Sequence, residues 1–332
     1  MDLQLGERPR NRVDPALNQD VLERLETRLG RVHARQRLGI EDDREARVVR
    51  QSLKFFHPEN WNRSPSIIRN VLKLTGLYWR ARKNAENIQV RRHDVEWIDL
   101  PPSFDGFTIL QLSDLHADIN EGAMARLVEL LPTISYDICV LTGDYRGKTF
   151  GPFERAIEGL ARICAHLDGP VYGVLGNHDT IRMVPAMEDM GMRMLLNESE
   201  ALVRGGDRIH LVGIDDAHYY RLDNIEKAAS HVPVAGFSIL LSHTPEIYRQ
   251  AAHAGFKLLL SGHTHGGQIC LPGGIPIMLE SVLPRRMGAG PWRYRNMVGY
   301  TSVGVGSCII PVRLNCLPEI TLHRLLRDRL RF

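Results

Sequence analysis

The sequence predicts an α/β fold preceded by a helical extension, and two observations carry that prediction. From about Ile88 onward, short apolar runs alternate with helical patterns, the texture of strands layered with helices. Five of those runs end in Asp, Asn or His, often beside a glycine that lets the backbone turn. The 332 residues suffice for one large domain with an appendage, and 43% hydrophobic with 24% charged residues fits a globular protein with a substantial core.

Residues 1 to about 60 are polar and charge-rich, with a helix expected from Gln19 to about Leu53. The next segment, SPSIIRNVLKLTGLYWRARK, is amphipathic at helical spacing. Ile67, Ile68, Val71, Leu72, Leu74, Tyr78 and Trp79 share one arc, Arg69, Lys73 and Arg80 lie opposite, and Leu77 is the misfit. Lys54 to His93 holds nine Lys or Arg against two Glu. Such a segment, residues 67–82, suits either an anionic membrane surface or docking on the domain that follows, and the residues allow both. An opening strand is expected over Gln89 to Leu100, separated from the core strands by Pro101-Pro102. The division is thus an extension at 1–86 and a main domain at 87–332.

The main domain repeats one pattern. FTILQLSDLH ends in Asp114 and His116, DICVLTGD in Asp144, VYGVLGNHD in Asn177, His178 and Asp179, FSILLSH in His243, and FKLLLSGHTH in His263 and His265. In open α/β sheets, sites form beyond the carboxyl ends of strands. Side chains two apart on extended backbone point the same way, about 6.5–7 Å apart, so D-x-H and H-x-H could each aim two ligands into one cleft. Singly, an Asp after a strand is a turn or cap residue and a lone His a satisfied polar group. Five such endings together point to metal.

These blocks, D-x-H at 114–116, G-D at 143–144, G-N-H-D at 176–179, H at 243 and G-H-x-H at 262–265, resemble the calcineurin-like metallophosphoesterase family over roughly residues 107–325. The resemblance implies a four-layer αββα sandwich around a dinuclear metal centre. It implies Asp114, His116 and His265 on the first ion, Asn177, His243 and His263 on the second, and Asp144 bridging both. His178 would be the catalytic histidine, with Asp179 orienting its ring. One block departs: many members read G-D-x-x-D, whereas this chain reads Gly143-Asp144-Tyr145-Arg146-Gly147. That puts the support around Asp144 in question and leaves Arg146 either facing a substrate phosphate or solvated in a loop.

Asp, Asn and His without Cys form a nitrogen and oxygen site suited to two divalent ions (Mn, Fe, Zn or Co), with no choice among them. Ions about 3.5–4 Å apart lower the pKa of a shared water to about 7, which supplies the attacking hydroxide of a phosphate-ester or pyrophosphate hydrolase. Charge developing on the phosphoryl oxygens is neutralised by the same ions. His178 can protonate the leaving group, and Gly262, Gly266 and Gly267 are expected to let the loop approach the ions.

Within the family, D-L-H, G-N-H-D and G-H-T-H-G-G-Q, with Gln268, the GIDD of 213–216 and the tail SVGVGSCIIPVRLNCLPEITL, are similar to a bacterial branch. Its members are often tied to membranes and include UDP-2,3-diacylglucosamine diphosphatases. A lipid-linked substrate is therefore one expectation. In PRRMGAGPWRYR, Arg285 and Arg286 with Trp292 could recognise phosphate and stack on a base or acyl chain, or simply form a solvated loop with packed aromatics. The basic tail HRLLRDRLRF is expected to be a solvated terminal element. Five scattered cysteines without CxxC spacing suit a reducing compartment, and no secretory signal or spanning helix is read, so the expected location is cytoplasmic, at most peripheral at the inner membrane face. A net charge of +3 does not call for nucleic acid, and no such partner is expected. A non-catalytic adaptor and a nuclease are the alternative classes; the filled ligand positions speak against the first and the placement of basic residues outside the motif loops against the second.

Overall fold

The computed structural model describes residues 15–51 and 64–328. The extension forms α1 (Pro15–Leu29), α2 (Arg31–Gln51), α3 (Ser64–Leu74) and α4 (Tyr78–Asn84). Strands β1 (Gln89–Trp97), β2 (Thr108–Leu112), β3 (Ile138–Leu141), β4 (Val171–Gly173) and β5 (Met192–Met194) alternate with α5 (Glu121–Leu130), α6 (Glu154–Cys164) and α7 (Val184–Asp189). The second half contains β6 (Glu198–Arg204), β7 (Asp207–Gly213), α8 (Ile225–Ala228), β8 (Ser238–Leu241), α9 (Tyr248–His253) and β9 (Leu258–Ser261). A short hairpin of β10 (Cys270–Leu271) and β11 (Ile275–Pro276) precedes β12 (Gly290–Tyr294), β13 (Met297–Thr301) and β14 (Glu319–Arg327).

Two mixed six-stranded sheets result, in the orders β1-β14-β2-β3-β4-β5 and β12-β13-β9-β8-β7-β6. Strands β2 to β5 are mutually parallel, as are β7, β8, β9 and β13, so the ends of β2, β3, β4, β8 and β9 that carry the motifs emerge on common sheet edges. Strands β2, β3, β8 and β9 are near-continuous apolar runs because both faces are covered. One face meets the other sheet: Ile109, Val140 and Val174 pack with Ile239, Leu241 and Leu260. The other faces meet helices, Leu110, Leu112 and Cys139 with Leu127 and Leu160 on one side, and Val212, Leu240 and Leu259 with Tyr248 and Ala251 on the other. The four layers are those expected.

The extension differs in detail. The single helix expected from Gln19 is divided at Gly30, whose φ of 87° is left-handed and ends α1; its expected end at Leu53 falls outside the described residues. Gly76, at φ 71°, likewise divides the amphipathic segment. That break resets the helical phase, so Leu77, a misfit on one continuous helix, packs with Ile68, Leu72 and Tyr78 against Ile310, Val312 and Leu314. The rest of the expected arc, Ile67, Val71, Leu74 and Trp79, is exposed. The tail expectation is also corrected: His323 to Arg327 belong to β14, which lies between β1 and β2. Among the described residues no helix is long and apolar enough to cross a membrane.

Candidate metal centre

Three of the five motifs leave their strands through left-handed turns. Asp114, His116, Asp144, His263 and His265 all have positive φ, between 40° and 73°. Extended alternation therefore does not aim the D-x-H and H-x-H pairs, as the sequence suggested; left-handed turns do. Each such residue costs on the order of 1–2 kcal/mol, a strain typical of functional loops. The approach is close: a Cβ on Gly262 would lie 1.9 Å from Ser113 Oγ and 2.3 Å from Asp114 Oδ2. Gly266 and Gly267, expected to clear space for ions, instead face Val303, Cys316 and Pro276.

The turns bring the motif residues together. Asp144, His243 and His263 form one buried cluster of potential ligand atoms, and Asp114, His116 and Asp144 form another, so Asp144 belongs to both. Its Oδ2 lies 3.2 Å from His243 Nε2 and 3.9 Å from both His116 Nε2 and His178 Nε2. Asn177 Oδ1 is 2.9 Å from His243 Nε2, and Asp114 Oδ1 is 3.5 Å from His265 Nε2.

The ring orientations suit metal binding. His243 Nδ1 donates to the Thr142 carbonyl at 2.7 Å and His116 Nδ1 to the Arg146 carbonyl at 2.8 Å, which turns both Nε2 atoms into the cluster. His263 Nε2 is buried with no hydrogen-bond partner. Burial opposes a charge on His263, and the neighbouring His243 and His218 add to this, holding its pKa well below the imidazole range. Burial and Arg313 do the same to His265. Both rings are therefore neutral, as ligands must be. Burial also works against charge on His243, but the Asp144 carboxylate overrides it and pushes that pKa up to about 10, so an ion bound there would take the place of the His243 Nε2 proton beside Asp144. Arg313 Nη2 lies 3.1 Å from His265 Nδ1, and His265 Nε2 lies 3.0 Å from His116 Nε2. An orphaned imidazole nitrogen among buried carboxylates and neutral histidines is a donor set that fits divalent cations.

Around this cluster the structure reassigns several residues. Asp179 does not orient the His178 ring. Its carboxylate accepts the backbone N–H groups of Asp144 at 2.8 Å, Tyr145 at 2.9 Å and Gly176 at 2.8 Å, and so fixes the turn that carries Asp144. Thr149 Oγ1 meets the His178 ring instead, 3.2 Å from Nδ1. Arg146 is neither solvated nor free for phosphate: it is buried, with its guanidinium on the carbonyls of His178, Thr149 and Gly151. Asp179 and Arg146 thus brace the block that lacks the second carboxylate. Trp292 is a core residue whose Nε1 donates to Thr301 Oγ1 at 2.9 Å, not a stacking platform. Arg285 and Arg286 are exposed, and Arg285 reaches only the Pro276 carbonyl at 3.5 Å.

Other contributors carried no sequence signal. The His218 ring lies 4.3 Å from that of His263 and is held by Glu246 at 2.9 Å. Arg313 is fully buried; besides His265 Nδ1, it grips the carbonyls of His265, Val303 and Gly306. From the extension, Arg37 donates to the Asp179 carbonyl at 3.1 Å.

Comparison with known proteins agrees with this geometry. A family model described as calcineurin-like phosphoesterase matches residues 107–267. The uncharacterized metallophosphoesterase YkoQ of Bacillus subtilis (strain 168) is 28% identical over 269 residues, covering 77% of this chain and 97% of that protein. The uncharacterized metallophosphoesterase YkuE of the same organism is 30% identical over 249 residues, 72% of this chain and 85% of its own. The phosphodiesterase YaeI of Escherichia coli (strain K12) is 28% identical over 239 residues, 66% of this chain and 82% of its own. Buried His and Asp clusters at strand ends, inside a matching family model, make this chain a metal-dependent phosphoesterase of the calcineurin-like family.

Proposed function

We propose that the chain is a dinuclear hydrolase of phosphodiester or pyrophosphate bonds in a lipid-linked substrate, acting from the cytoplasm at the inner face of the membrane. The observation that carries the dinuclear reading is the sharing of Asp144 by two buried clusters. Asp114, His116 and His265 would hold one ion and Asn177, His243 and His263 the other, with Asp144 available to both. Two ions so bound would supply Lewis acidity toward the phosphoryl oxygens and a water acidic enough to attack at neutral pH.

The chain's own residues do the rest. His178 presents Nε2 toward Asp144, so this is the atom placed to hand a proton to the leaving oxygen, while Thr149 steadies Nδ1. Arg146 holds the His178 carbonyl and Asp179 holds the Asp144 turn, which keeps acid and bridging carboxylate in register. His178→Ala should retain metal, read by elemental analysis, and lower kcat on a nitrophenyl phosphodiester by roughly 10²–10⁴-fold. Unchanged turnover would remove His178 from the role of acid.

Two exposed apolar surfaces support a lipid-linked substrate. Leu271, Ile275, Ile277 and Met278 are exposed on the hairpin that directly follows the metal loop. Ile67, Val71, Leu74 and Trp79 are exposed on α3–α4, whose inner side packs near Ile269 between that loop and the hairpin. Basic Arg69, Lys73, Arg80, Arg82 and Lys83 are exposed on the same helices, which suits anionic headgroups. YaeI, a relative, is named a phosphodiesterase. UDP-2,3-diacylglucosamine in mixed micelles is the substrate to assay, with release of UMP as readout; faster turnover of a soluble UDP-sugar would exclude the lipid-linked class.

A further inference from the structure

The site contains a sulfur that the nitrogen and oxygen pattern of its motifs does not predict. Cys308 Sγ and one ring nitrogen each of His116 and His265 lie within 4.8 Å of one another. One ion could bridge them, since metal–nitrogen bonds run about 2.0–2.1 Å and metal–sulfur bonds about 2.3 Å. The position of Cys308 is built into the fold. Gln268, just past the metal loop, holds both backbone groups of Cys308: its Oε1 accepts the N–H at 2.7 Å and its Nε2 donates to the carbonyl at 2.9 Å. The segment leading to Cys308 is fastened to the D-x-H turn, with Val305 N–H on the Ser113 carbonyl at 2.9 Å and Gly306 N–H on the Asp114 carbonyl at 2.8 Å. Arg313 ties the same segment to His265 through the carbonyls of Gly306 and His265. Three independent fastenings thus set this side chain between the loops that carry His116 and His265.

We propose that Cys308 is a thiolate ligand to the ion held by Asp114, His116 and His265. This rests on the dinuclear reading above. On binding, the thiol passes its proton to solvent and sulfur donates a lone pair to the ion; no electron is transferred. A sulfur donor softens this subsite and shifts its preference toward Zn, Fe or Co and away from Mn or Mg.

The test uses the full chain, stripped by chelation and reloaded with Co(II), with bound cobalt counted by elemental analysis. The expected result is a near-ultraviolet thiolate-to-cobalt charge-transfer band in the wild type. It should be absent in Cys308→Ser and retained in Cys316→Ser and Cys270→Ser. Cys308→Ser should also lower the ratio of zinc to manganese affinity by about tenfold. Wild-type protein that binds cobalt without the band, or Cys308→Ser that keeps it, overturns the proposal while leaving the dinuclear reading in place. Failure to bind cobalt at all would overturn both. If Cys308→Ser does not fold, alkylation of the wild type decides: Cys308 should react at least about tenfold more slowly with zinc bound, and equal rates overturn the assignment.

Discussion

The two halves of the N-terminal extension both bury apolar residues, yet they differ in what they add to that contact. Helices α1 and α2 dock through Leu25, Leu29 and Ala34, which join the main core, and through a set of buried or half-buried ion pairs that, among the described residues, α3 and α4 lack. Arg37, fully buried, pairs with Glu41 at 2.9 Å and Asp215 at 3.4 Å, and lies 3.5 Å over the Tyr220 ring. Glu41 also accepts the Ile181 N–H at 2.8 Å and pairs with Arg182, while Arg28 pairs with Glu188 and Glu198. Helices α3 and α4 dock through a small apolar cluster and expose large hydrophobic residues, Leu74 at 88% and Trp79 at 74%. Buried charge demands its partner, whereas an exposed apolar face makes no demand on the fold. The first half therefore acts as a brace, reaching the GNHD loop through Arg37 and the Asp179 carbonyl, and the second half offers a surface.

The largest effect should come from Arg37→Ala. It leaves the carboxylates of Asp215 and Glu41 buried without their cation, so unfolding in urea should show a loss of about 3–5 kcal/mol. A loss under about 1 kcal/mol would mean that the polar docking is incidental and would erase the contrast between the halves. Next, Leu74→Glu with Trp79→Glu should weaken partition into anionic vesicles by about 10²–10⁴-fold, since each side chain forfeits roughly 1.5–3 kcal/mol of burial. Its turnover of a soluble nitrophenyl ester should match the wild type. Equal vesicle binding would show that this face is not a membrane surface.

Acid should separate the halves by a different route. Burial would raise the Asp215 pKa, but Arg37 and His33 beside it hold it below the usual carboxylate value. A depressed carboxylate stabilises fully above its unfolded pKa, about 3.9, and that contribution is lost as pH falls through the folded value. Pepsin digestion between pH 4 and pH 2 should therefore release peptides of α2 before those of α4, whose docking cluster is apolar; the reverse order would contradict the assignment of the brace. The smallest effect concerns stability of the Leu74→Glu, Trp79→Glu variant, expected within ~0.5 kcal/mol of wild type because both positions are exposed.

Much of the site was legible because ligand chemistry is local. Asp114, Asp144, Asn177, His243 and His263 each follow an apolar strand, and parallel neighbours bring such strand ends to one edge. Residues read by their charge or aromaticity fared worse. Arg146 and Trp292 could each be read as a substrate contact or a bland loop residue, and each turned inward, Arg146 to the His178 carbonyl and Trp292 to Thr301 on the paired strand β13. Asp179 looked like a partner for its neighbour His178, but a left-handed turn at Asp144 brought backbone N–H groups to it first. Arg37 gave no pattern at all, and Cys308 stood only within the tail similar to the bacterial branch with no ligand role attached, since their partners lie far along the chain.

The order and type of the apolar runs, with the Asp, Asn and His that end them, determined by themselves a layered α/β fold with a metal centre, and the resemblance of those blocks to the calcineurin-like family supplied the phosphoesterase activity. Hydrophobic periodicity and strand-end chemistry are properties of short stretches and survive in one dimension. Which polar side chains face the ions, which brace the loops and which half of the extension is locked down was decided only by tertiary structure. The physical reason is that a guanidinium, carboxylate or thiol takes its role from the nearest complementary group, and here those groups arrive from segments remote in sequence: Arg37 onto Asp179 and Asp215, Arg313 onto His265, Gln268 onto Cys308.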